Sequence, residues 1–151
     1  MIKFFTAAVM SLVANTCFAD GNRLPNSVPP IVKQECASCH TLYPPAFLPV
    51  DSWKRIMAGL EKHYGTDASV DAKTNLAITQ WLTQYGGTYK RVAGAPPNDR
   101  ITESPWFIKK HNGVSASVWK NPKIKSASNC TACHTAANDG IYEDDSIKIP
   151  K

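Results

Sequence analysis

A five-residue pattern of cysteine and histidine occurs twice in the chain. Residues 36–40 read Cys-Ala-Ser-Cys-His and form the first motif, and residues 130–134 read Cys-Thr-Ala-Cys-His and form the second motif. Two thiols about one helical turn apart can each add to a vinyl group of a porphyrin, and the adjacent histidine can then ligate the iron. We therefore expect two covalently bound haem c groups, one at each motif.

Two other chemistries use paired cysteines. Four thiolates can hold one zinc ion in a closed tetrahedral site, but that site gives the histidine after each pair no role. A disulfide within each pair would be a labile redox pair rather than a stabilising crosslink. Haem attachment uses every residue of the pattern and is the interpretation we favour. It predicts four thioether cysteines and two proximal iron ligands, namely Cys36, Cys39, Cys130, Cys133, His40 and His134.

The distal side of each iron needs a second ligand. The chain has four histidines, so two remain besides the motif histidines, and these are His63 and His111, one in each half. Met57 is the only methionine after the N-terminal segment, and two haems cannot both bind it. We expect bis-histidine ligation, with His63 on the first haem and His111 on the second. A crossed pairing, or a histidine that is only a core residue, remains open at this point.

The N-terminal 19 residues have the features of a secretory signal. Lys3 provides the basic start, residues 4–13 form a short apolar run, and small residues precede a cleavage site before Asp20. Cys17 would then leave with the signal, whereas lipidation of Cys17 is the weaker alternative. Export to the periplasm is predicted, because c-type haem is attached outside the cytoplasm.

The remaining chain has no apolar run long enough to span a membrane. The formal net charge is +5, and the four propionates of two haems would cancel most of it. This charge therefore does not argue for nucleic-acid or membrane binding. Glycines and prolines concentrate in residues 86–99 and predict a linker. We expect a signal at residues 1–19, an N-terminal haem c domain at 20–95 and a C-terminal haem c domain at 96–151.

Helical periodicity and capping residues predict an all-α fold. One helix should start with Ser52 as cap and carry His63 on its apolar stripe. Another should follow Thr102 or Ser104, have Pro105 in its first turn and end at His111. Residues 114–128 are expected to be irregular and the C-terminal tail extended. The predicted helices cover residues 31–40, 52–64, 69 or 71 to 85, 104–111 and 130–137.

These residues and their flanks resemble the small bacterial dihaem cytochrome c family, which comprises periplasmic electron donors to the oxygen-binding Sphaeroides haem protein. The resemblance implies bis-histidine haems, an N-terminal part like a small mono-haem cytochrome c and a less regular C-terminal part. The family often has Phe where this chain has Tyr64. The resemblance rests on both motifs and on Tyr43-Pro44-Pro45, Leu48-Pro49, Ser52-Trp53, Met57, His63-Tyr64-Gly65, Arg100-Ile101-Thr102, Phe107, His111, Trp119, Gly140, Tyr142-Glu143, Ile147 and Ile149-Pro150.

The predicted function is electron transfer by a soluble periplasmic dihaem cytochrome that is not an enzyme. Two imidazoles on each iron favour low-spin haem with a lower potential than His/Met ligation gives. The resemblance implies redox-protein partners, with an oxygen-binding mono-haem cytochrome as a candidate. The alternative is a ligand-binding or sensing haem protein in which one distal histidine is displaceable. An enzyme is disfavoured because no acid/base group stands out beside the motifs.

Overall fold

The structure, a computed structural model, describes residues 23–151, and the predicted signal at residues 1–19 lies outside the described residues. The described chain contains α-helices and short 3-10 turns, with isolated β-bridges in place of strands. The all-α prediction is confirmed. The helices are α1 (Pro30–Cys36), α2 (Val50–Ala58), α3 (Ala72–Tyr85), α4 (Pro105–Lys110) and α5 (Ala116–Trp119).

The 3-10 turns connect these helices and are most frequent in the second half. The first motif follows α1 directly, whereas the second motif lies in a region of 3-10 turns and loops. The 3-10 turns are Pro45–Phe47, Leu60–Lys62, Lys90–Val92, Pro97–Asp99, Ile101–Glu103, Cys130–Ala132, Ala137–Asp139 and Asp144–Ser146.

The main hydrophobic core lies where α2 packs against α3. Each large apolar side chain buried there contributes about 1.5–3 kcal/mol to folding. Two tryptophans keep their indole N–H groups hydrogen-bonded, because Trp53 donates to the Pro45 carbonyl and Trp81 to the Ser27 carbonyl. Met57, considered above as a distal ligand, is packed in this core. Its buried members are Val32, Leu48, Trp53, Met57, Ile78, Trp81 and Leu82.

Capping side chains begin two helices where the sequence predicts them. The Asp71 carboxylate accepts hydrogen bonds from the backbone N–H groups of residues 73 and 74 and caps α3, as Asp side chains commonly do. Gly86 follows the last residue of α3. Ser104 caps α4 through the Phe107 N–H, and Pro105 occupies its first turn.

The helix that we predicted at residues 52–64 is shorter and begins earlier. It starts at Val50, directly after Pro49, and ends at Ala58 because Gly59 leaves the helical conformation with φ −128°. Ser52 is therefore not a cap; it is fully buried inside α2. His63 does not lie on a helix stripe either. It follows a separate 3-10 turn, so the turn and not helical periodicity sets its direction.

The second half also differs from the prediction in detail. The helix expected at residues 130–137 is replaced by two 3-10 turns at its ends. A short helix, α5, occurs in the stretch expected to be irregular, with Ser115 as its cap. The tail contains a 3-10 turn and an isolated bridge between His134 and Ile147, so it is not simply extended. The first-motif helix stops at Cys36 instead of continuing to His40.

The two halves of the chain share a second hydrophobic cluster, which combines Phe47 with Ala137 and Tyr142. Hydrogen bonds also join the halves: the Tyr142 hydroxyl donates to the Leu42 carbonyl at 2.8 Å, and the Trp106 indole donates to the Phe47 carbonyl at 3.1 Å. Contacts of this kind hold the two motif-bearing segments against each other. No helix within residues 23–151 is long and apolar enough to cross a membrane.

Candidate haem sites

The first motif brings its histidine opposite a second histidine. The ring centroids of His40 and His63 are 6.3 Å apart, and the ring planes differ by 23°. Two imidazoles bound to opposite sides of one metal ion, each through a bond of about 2.0 Å, have centroids about 6 Å apart. The spacing of this pair therefore fits one iron between the two rings.

Hydrogen bonding and burial suit both rings to bind a metal. The His40 Nδ1 atom lies 2.7 Å from the Thr41 carbonyl, so its N–H can donate there and leave Nε2 free, as in many metal-ligating histidines. Burial, followed by the nearby charge of His40, lowers the pKa of His63. A lowered pKa favours the neutral imidazole, which is the form that binds a metal.

A cavity of about 840 Å³ lies beside the first motif and is lined by Cys39 and His40. Its walls come from both ends of the described chain, with residues 23–28 on one side and residues 138–141 on another. This volume is in the range of cofactor and ligand sites. His63 does not line this cavity, so the fit of a haem iron between His40 and His63 rests on the spacing of the two rings.

Contacts with a distant segment support the turn that carries His63. The Tyr64 hydroxyl lies 3.1 Å from the Asn98 carbonyl and 3.0 Å from the Asp99 carbonyl, to which it can donate. The Arg55 guanidinium donates two hydrogen bonds, of 2.8 and 2.6 Å, to the Asp99 carboxylate. The Arg100 guanidinium lies over the Tyr64 ring, 4.4 Å from its centroid. We call Arg55, Tyr64 and Asp99 the distal brace.

The distal brace holds backbone that is unusual for non-glycine residues. Tyr64, Asn98 and Asp99 have φ values of 51°, 52° and 54°, in the left-handed region that side chains disfavour. Such conformations persist where surrounding contacts impose them. No local sequence pattern indicates the brace, because its members are separated by up to 44 positions.

The second motif has a histidine pair with nearly the same spacing. The ring centroids of His111 and His134 are 6.2 Å apart, with 67° between the ring planes. This distance again fits a metal ion between two imidazoles. The structure thus brings each motif histidine together with the histidine from its own half of the chain.

Helix α4 orients His111 locally. His111 is the C-terminal cap of α4, and its Nδ1 atom lies 2.8 Å from the Phe107 carbonyl one turn earlier, to which its N–H can donate. Its ring stacks on the Phe107 ring at 3.9 Å, with 22° between the planes. The Trp119 ring lies 6.0 Å from it on another side. Hydrogen bond and stacking together restrict the imidazole to one orientation.

The environment of His134 favours a neutral ring. Burial, followed by the nearby charge of His111, lowers the pKa of His134, and Asp144 opposes this change. Within residues 23–151, the buried Nδ1 atom of His134 has no hydrogen-bond partner. A buried polar nitrogen without a partner is uncommon and calls for an explanation. Within the described residues, His134 thus lacks the carbonyl partner at Nδ1 that His40 and His111 have.

The four described cysteines form no disulfide with one another. Before haem attachment, burial raises the pKa of the Cys36 thiol and raises the pKa of the Cys130 thiol to about 11. Within residues 23–151, no three histidine, cysteine or acidic side chains are grouped to hold a metal ion. The structure therefore gives no support to a zinc site built from the two cysteine pairs.

Comparison with protein families gives a match over most of the chain. The family of dihaem cytochrome c proteins matches residues 32–142, a stretch that contains both motifs. The chain belongs to the dihaem cytochrome c family. It is therefore a c-type cytochrome with two haem c groups that takes part in electron transport, as its motifs and their flanks predicted.

Solved structures support the same assignment. A diheme cytochrome type c from Shewanella baltica OS155 is 36% identical, covers 82% of this chain and 95% of its own, and superposes with a TM-score of 0.71. DHC purified from Rhodobacter sphaeroides is 39% identical, with coverages of 77% and 98% and a TM-score of 0.67. A comparison with curated proteins gives no match.

Proposed function

We propose that this dihaem cytochrome c is a periplasmic electron carrier in which both irons have two histidine ligands. The first haem is attached through Cys36 and Cys39 and lies between His40 and His63. The second haem is attached through Cys130 and Cys133 and lies between His111 and His134. The carrier has no substrate other than its redox partners.

The observation that carries this proposal is the histidine spacing. Centroid distances of 6.3 and 6.2 Å occur at both motifs, and each agrees with the distance of about 6 Å expected across one metal ion. In each half the partner is the histidine outside the motif. Met57 is 6% exposed and is packed in the apolar core, so in this proposal it is a ligand of neither iron.

The bound haem iron supplies a one-electron couple, ferric to ferrous. The chain's own residues keep the surroundings of that couple constant. Nδ1 hydrogen bonds hold His40 and His111 in one tautomer, and burial keeps His63 and His134 neutral. Ligands that are already in place need little rearrangement when the charge on the iron changes, and this favours electron transfer over ligand capture.

The periplasmic location rests on the signal features of residues 1–19 and on the site of haem c attachment. The partners of such a carrier are other redox proteins. The family resemblance makes an oxygen-binding mono-haem cytochrome one candidate acceptor. Cell fractionation of the full-length chain, followed by N-terminal sequencing of the mature protein, tests the location and the cleavage before Asp20.

Single substitutions test the ligands. In His63→Ala and in His111→Ala, one ferrous haem should become high-spin and bind carbon monoxide, while the other stays low-spin. Met57→Leu is the matched control, because it conserves the volume of a buried residue that ligates neither haem in the proposal. Its ferrous visible spectrum should equal that of the unaltered protein.

Other results would contradict the ligand assignment. If His63→Ala and His111→Ala both keep two low-spin haems, other residues ligate the irons. If the unaltered ferrous protein already binds carbon monoxide, one distal position is displaceable and the sensing alternative is favoured.

A further inference from the structure

We propose that the surface around the second histidine pair is a docking site for an acidic redox protein, and that electrons pass between this partner and the second haem. We call this surface the basic face and define it by Lys109, Lys110, Lys120, Lys123 and Lys148. The proposal rests on the proposed function, because it needs a haem between His111 and His134.

The charge of the second segment is one-sided over a long stretch. Residues 104–138 contain five lysines and no aspartate or glutamate. Lys109, Lys110, Lys120, Lys123 and Lys125 are all exposed. Within the described residues, none of these five pairs with an aspartate or glutamate side chain, and the Lys123 ammonium contacts an oxygen of Lys151. The summed charge of the five lysines exceeds the charge of the two propionates of one haem.

Three separate pieces of chain that carry lysines of the basic face adjoin the second histidine pair or its motif. Lys109 and Lys110 form the end of α4 and immediately precede His111. Lys120 directly follows Trp119, the residue whose ring lies 6.0 Å from the His111 ring. The N–H of Lys148 donates to the carbonyl of motif residue Cys133 at 2.8 Å.

Contacts of the C-terminal tail hold two of these pieces together. The Lys123 ammonium donates to the Lys151 carbonyl at 3.1 Å, and the Asn121 amide donates to the Pro150 carbonyl at 3.3 Å. The tail and the loop after α5 therefore form one continuous surface. Lysines that are far apart in the sequence can act on this surface as one group.

Exposed apolar side chains are interspersed with these lysines. Ile108 is 59% exposed beside Lys109, and Ile147 and Ile149, which flank Lys148, are 40% and 49% exposed. Apolar contact area within a polar rim is typical of protein interfaces. Transient redox complexes are usually small and steered by charge. The basic face has both features, and its sign selects a negatively charged partner.

The first segment lacks such a face. Its cations are interspersed with carboxylates, and three of them form ion pairs: Lys54 with Asp51, Arg55 with Asp99 and Arg23 with Glu143. Two acidic residues of the second segment, Asp99 and Glu103, precede the lysine-rich stretch and pair with Arg55 and Arg100. The others lie within residues 139–145, where Glu143 pairs with Arg23. No acidic residue therefore lies within the lysine-rich stretch of residues 104–138.

Electron transfer from an acidic probe protein tests the proposal. The ferric holoprotein is mixed with flavodoxin hydroquinone, and the second-order rate constant of haem reduction is followed at increasing ionic strength. Photoreduced lumiflavin, a small neutral reductant, measures the reactivity of the haems themselves. The variants are Lys109→Glu/Lys110→Glu and Lys120→Glu/Lys123→Glu. The matched control, Lys73→Glu/Lys90→Glu, makes the same change in net charge at exposed sites of the first segment.

The flavodoxin rate of the unaltered protein should fall steeply with added salt, because charge steering is screened. Each variant of the basic face should lose roughly tenfold or more of this rate at low salt and most of its salt dependence, within the range of electrostatic steering. The control should change less than about threefold, and the lumiflavin rate should be the same in all proteins. The two variants of the basic face lie on separate pieces of chain, so if one of them fails to fold the other still tests the proposal.

An equal loss in the control and in the face variants would overturn the proposal, because only net charge would then matter. No loss in either face variant would overturn it as well. Failure of the proposed function gives a different result: the unaltered protein would show a high-spin ferrous haem or would not be reduced by lumiflavin.

Discussion

The two candidate haem sites have the same histidine spacing but reach it with different backbone structures. In the first site, His63 follows a 3-10 turn that contacts residues about 35 positions away. In the second, His111 ends a helix and is held by a residue four positions before it. The centroid distances are 6.3 and 6.2 Å nevertheless.

This comparison separates the distance between two ligands from the way each ligand is held. The two distances agree with the spacing that one metal ion between the rings would require, as the proposed ligation implies. The support differs, since the first distal histidine depends on long-range tertiary contacts and the second on local helical ones. A change in tertiary structure should therefore affect the first haem more, whereas a change within α4 should affect the second.

Replacing either distal histidine by methionine should have the largest effect. His63→Met should raise the potential of the first haem on the order of tenths of a volt, a large part of the range that axial ligands set. His111→Met should do the same to the second haem, and each unaltered haem should move much less. Spectroelectrochemical titration measures both potentials.

The variant Cys130→Ser shows which of the two potentials belongs to which haem, because it should weaken retention of the second haem selectively. If His111→Met shifts the haem that Cys130→Ser leaves intact, the histidines cross between segments. The segment-by-segment comparison would then be wrong.

The ring-plane angles predict different spectra for the two ferric haems. The ring planes differ by 23° in the first pair and by 67° in the second. Two nearly parallel imidazoles separate the energies of the iron dπ orbitals more than two strongly inclined ones do. Electron paramagnetic resonance of the oxidised protein should show two low-spin signals, the second with the larger maximal g value. His63→Ala should remove the signal with the smaller maximal g. Two identical signals in the unaltered protein would contradict this difference between the sites.

Loss of the distal brace should affect the first haem alone. Tyr64→Phe removes the hydroxyl that contacts residues 98 and 99, and Asp99→Asn removes the carboxylate that binds Arg55. Either change should let His63 leave the iron more often, so the ferrous first haem should bind carbon monoxide several-fold faster. Flash photolysis measures this rate. Glu103→Gln is the control, because it removes a carboxylate of the same segment that contacts Arg100 at 3.6 Å and leaves Arg55, Tyr64 and Asp99 unaltered.

The brace should also weaken in acid. Hydrogen bonds from Arg55 hold the pKa of Asp99 below its ordinary value of 3.8. A carboxyl group whose pKa is lower in the folded state stabilises the protein above its unfolded-state pKa, and that contribution is lost as the pH falls through the folded-state value. Asp99→Asn should lower the free energy of unfolding at pH 6, and the difference should shrink as the pH falls below 3.8 and through the folded-state pKa. A constant difference at all pH values would exclude this ionic role.

The smallest expected effect concerns the contact between the halves. Tyr142 is 8% exposed, and its hydroxyl donates to the Leu42 carbonyl. Tyr142→Phe removes this buried hydrogen bond and should lower the free energy of unfolding by about 1 kcal/mol. Tyr43→Phe removes an exposed hydrogen bond to the Ser128 carbonyl and should cost less. Urea unfolding followed at both haem bands tests whether the two segments unfold together, as their shared core implies.

Sequence reasoning identified the chemistry of the sites better than their geometry. Both motifs and the dihaem family followed from local spacing and flanking residues, and the family match confirms that inference. The caps at Asp71 and Ser104 were also predictable, because an N-cap involves residues only two or three positions apart. These signals are local, so they can be recognised in a single sequence.

The helix boundaries around His63 were wrong because periodicity does not show where a helix breaks. Trp53, Ile56, Leu60 and His63 have helical spacing in the sequence, yet Gly59 interrupts the helix between them. The helix predicted at residues 130–137 was wrong for a related reason. A motif that fits a helical turn can equally form 3-10 turns when tertiary contacts hold it.

The sequence by itself determined the cofactor chemistry, since covalent attachment depends on residue types at fixed local spacing. By count, it also left two histidines as the candidate distal ligands. Tertiary structure alone brought each histidine to its partner, formed the distal brace and assembled the basic face. Those features join residues up to dozens of positions apart, and only packing of the whole chain determines which of them meet.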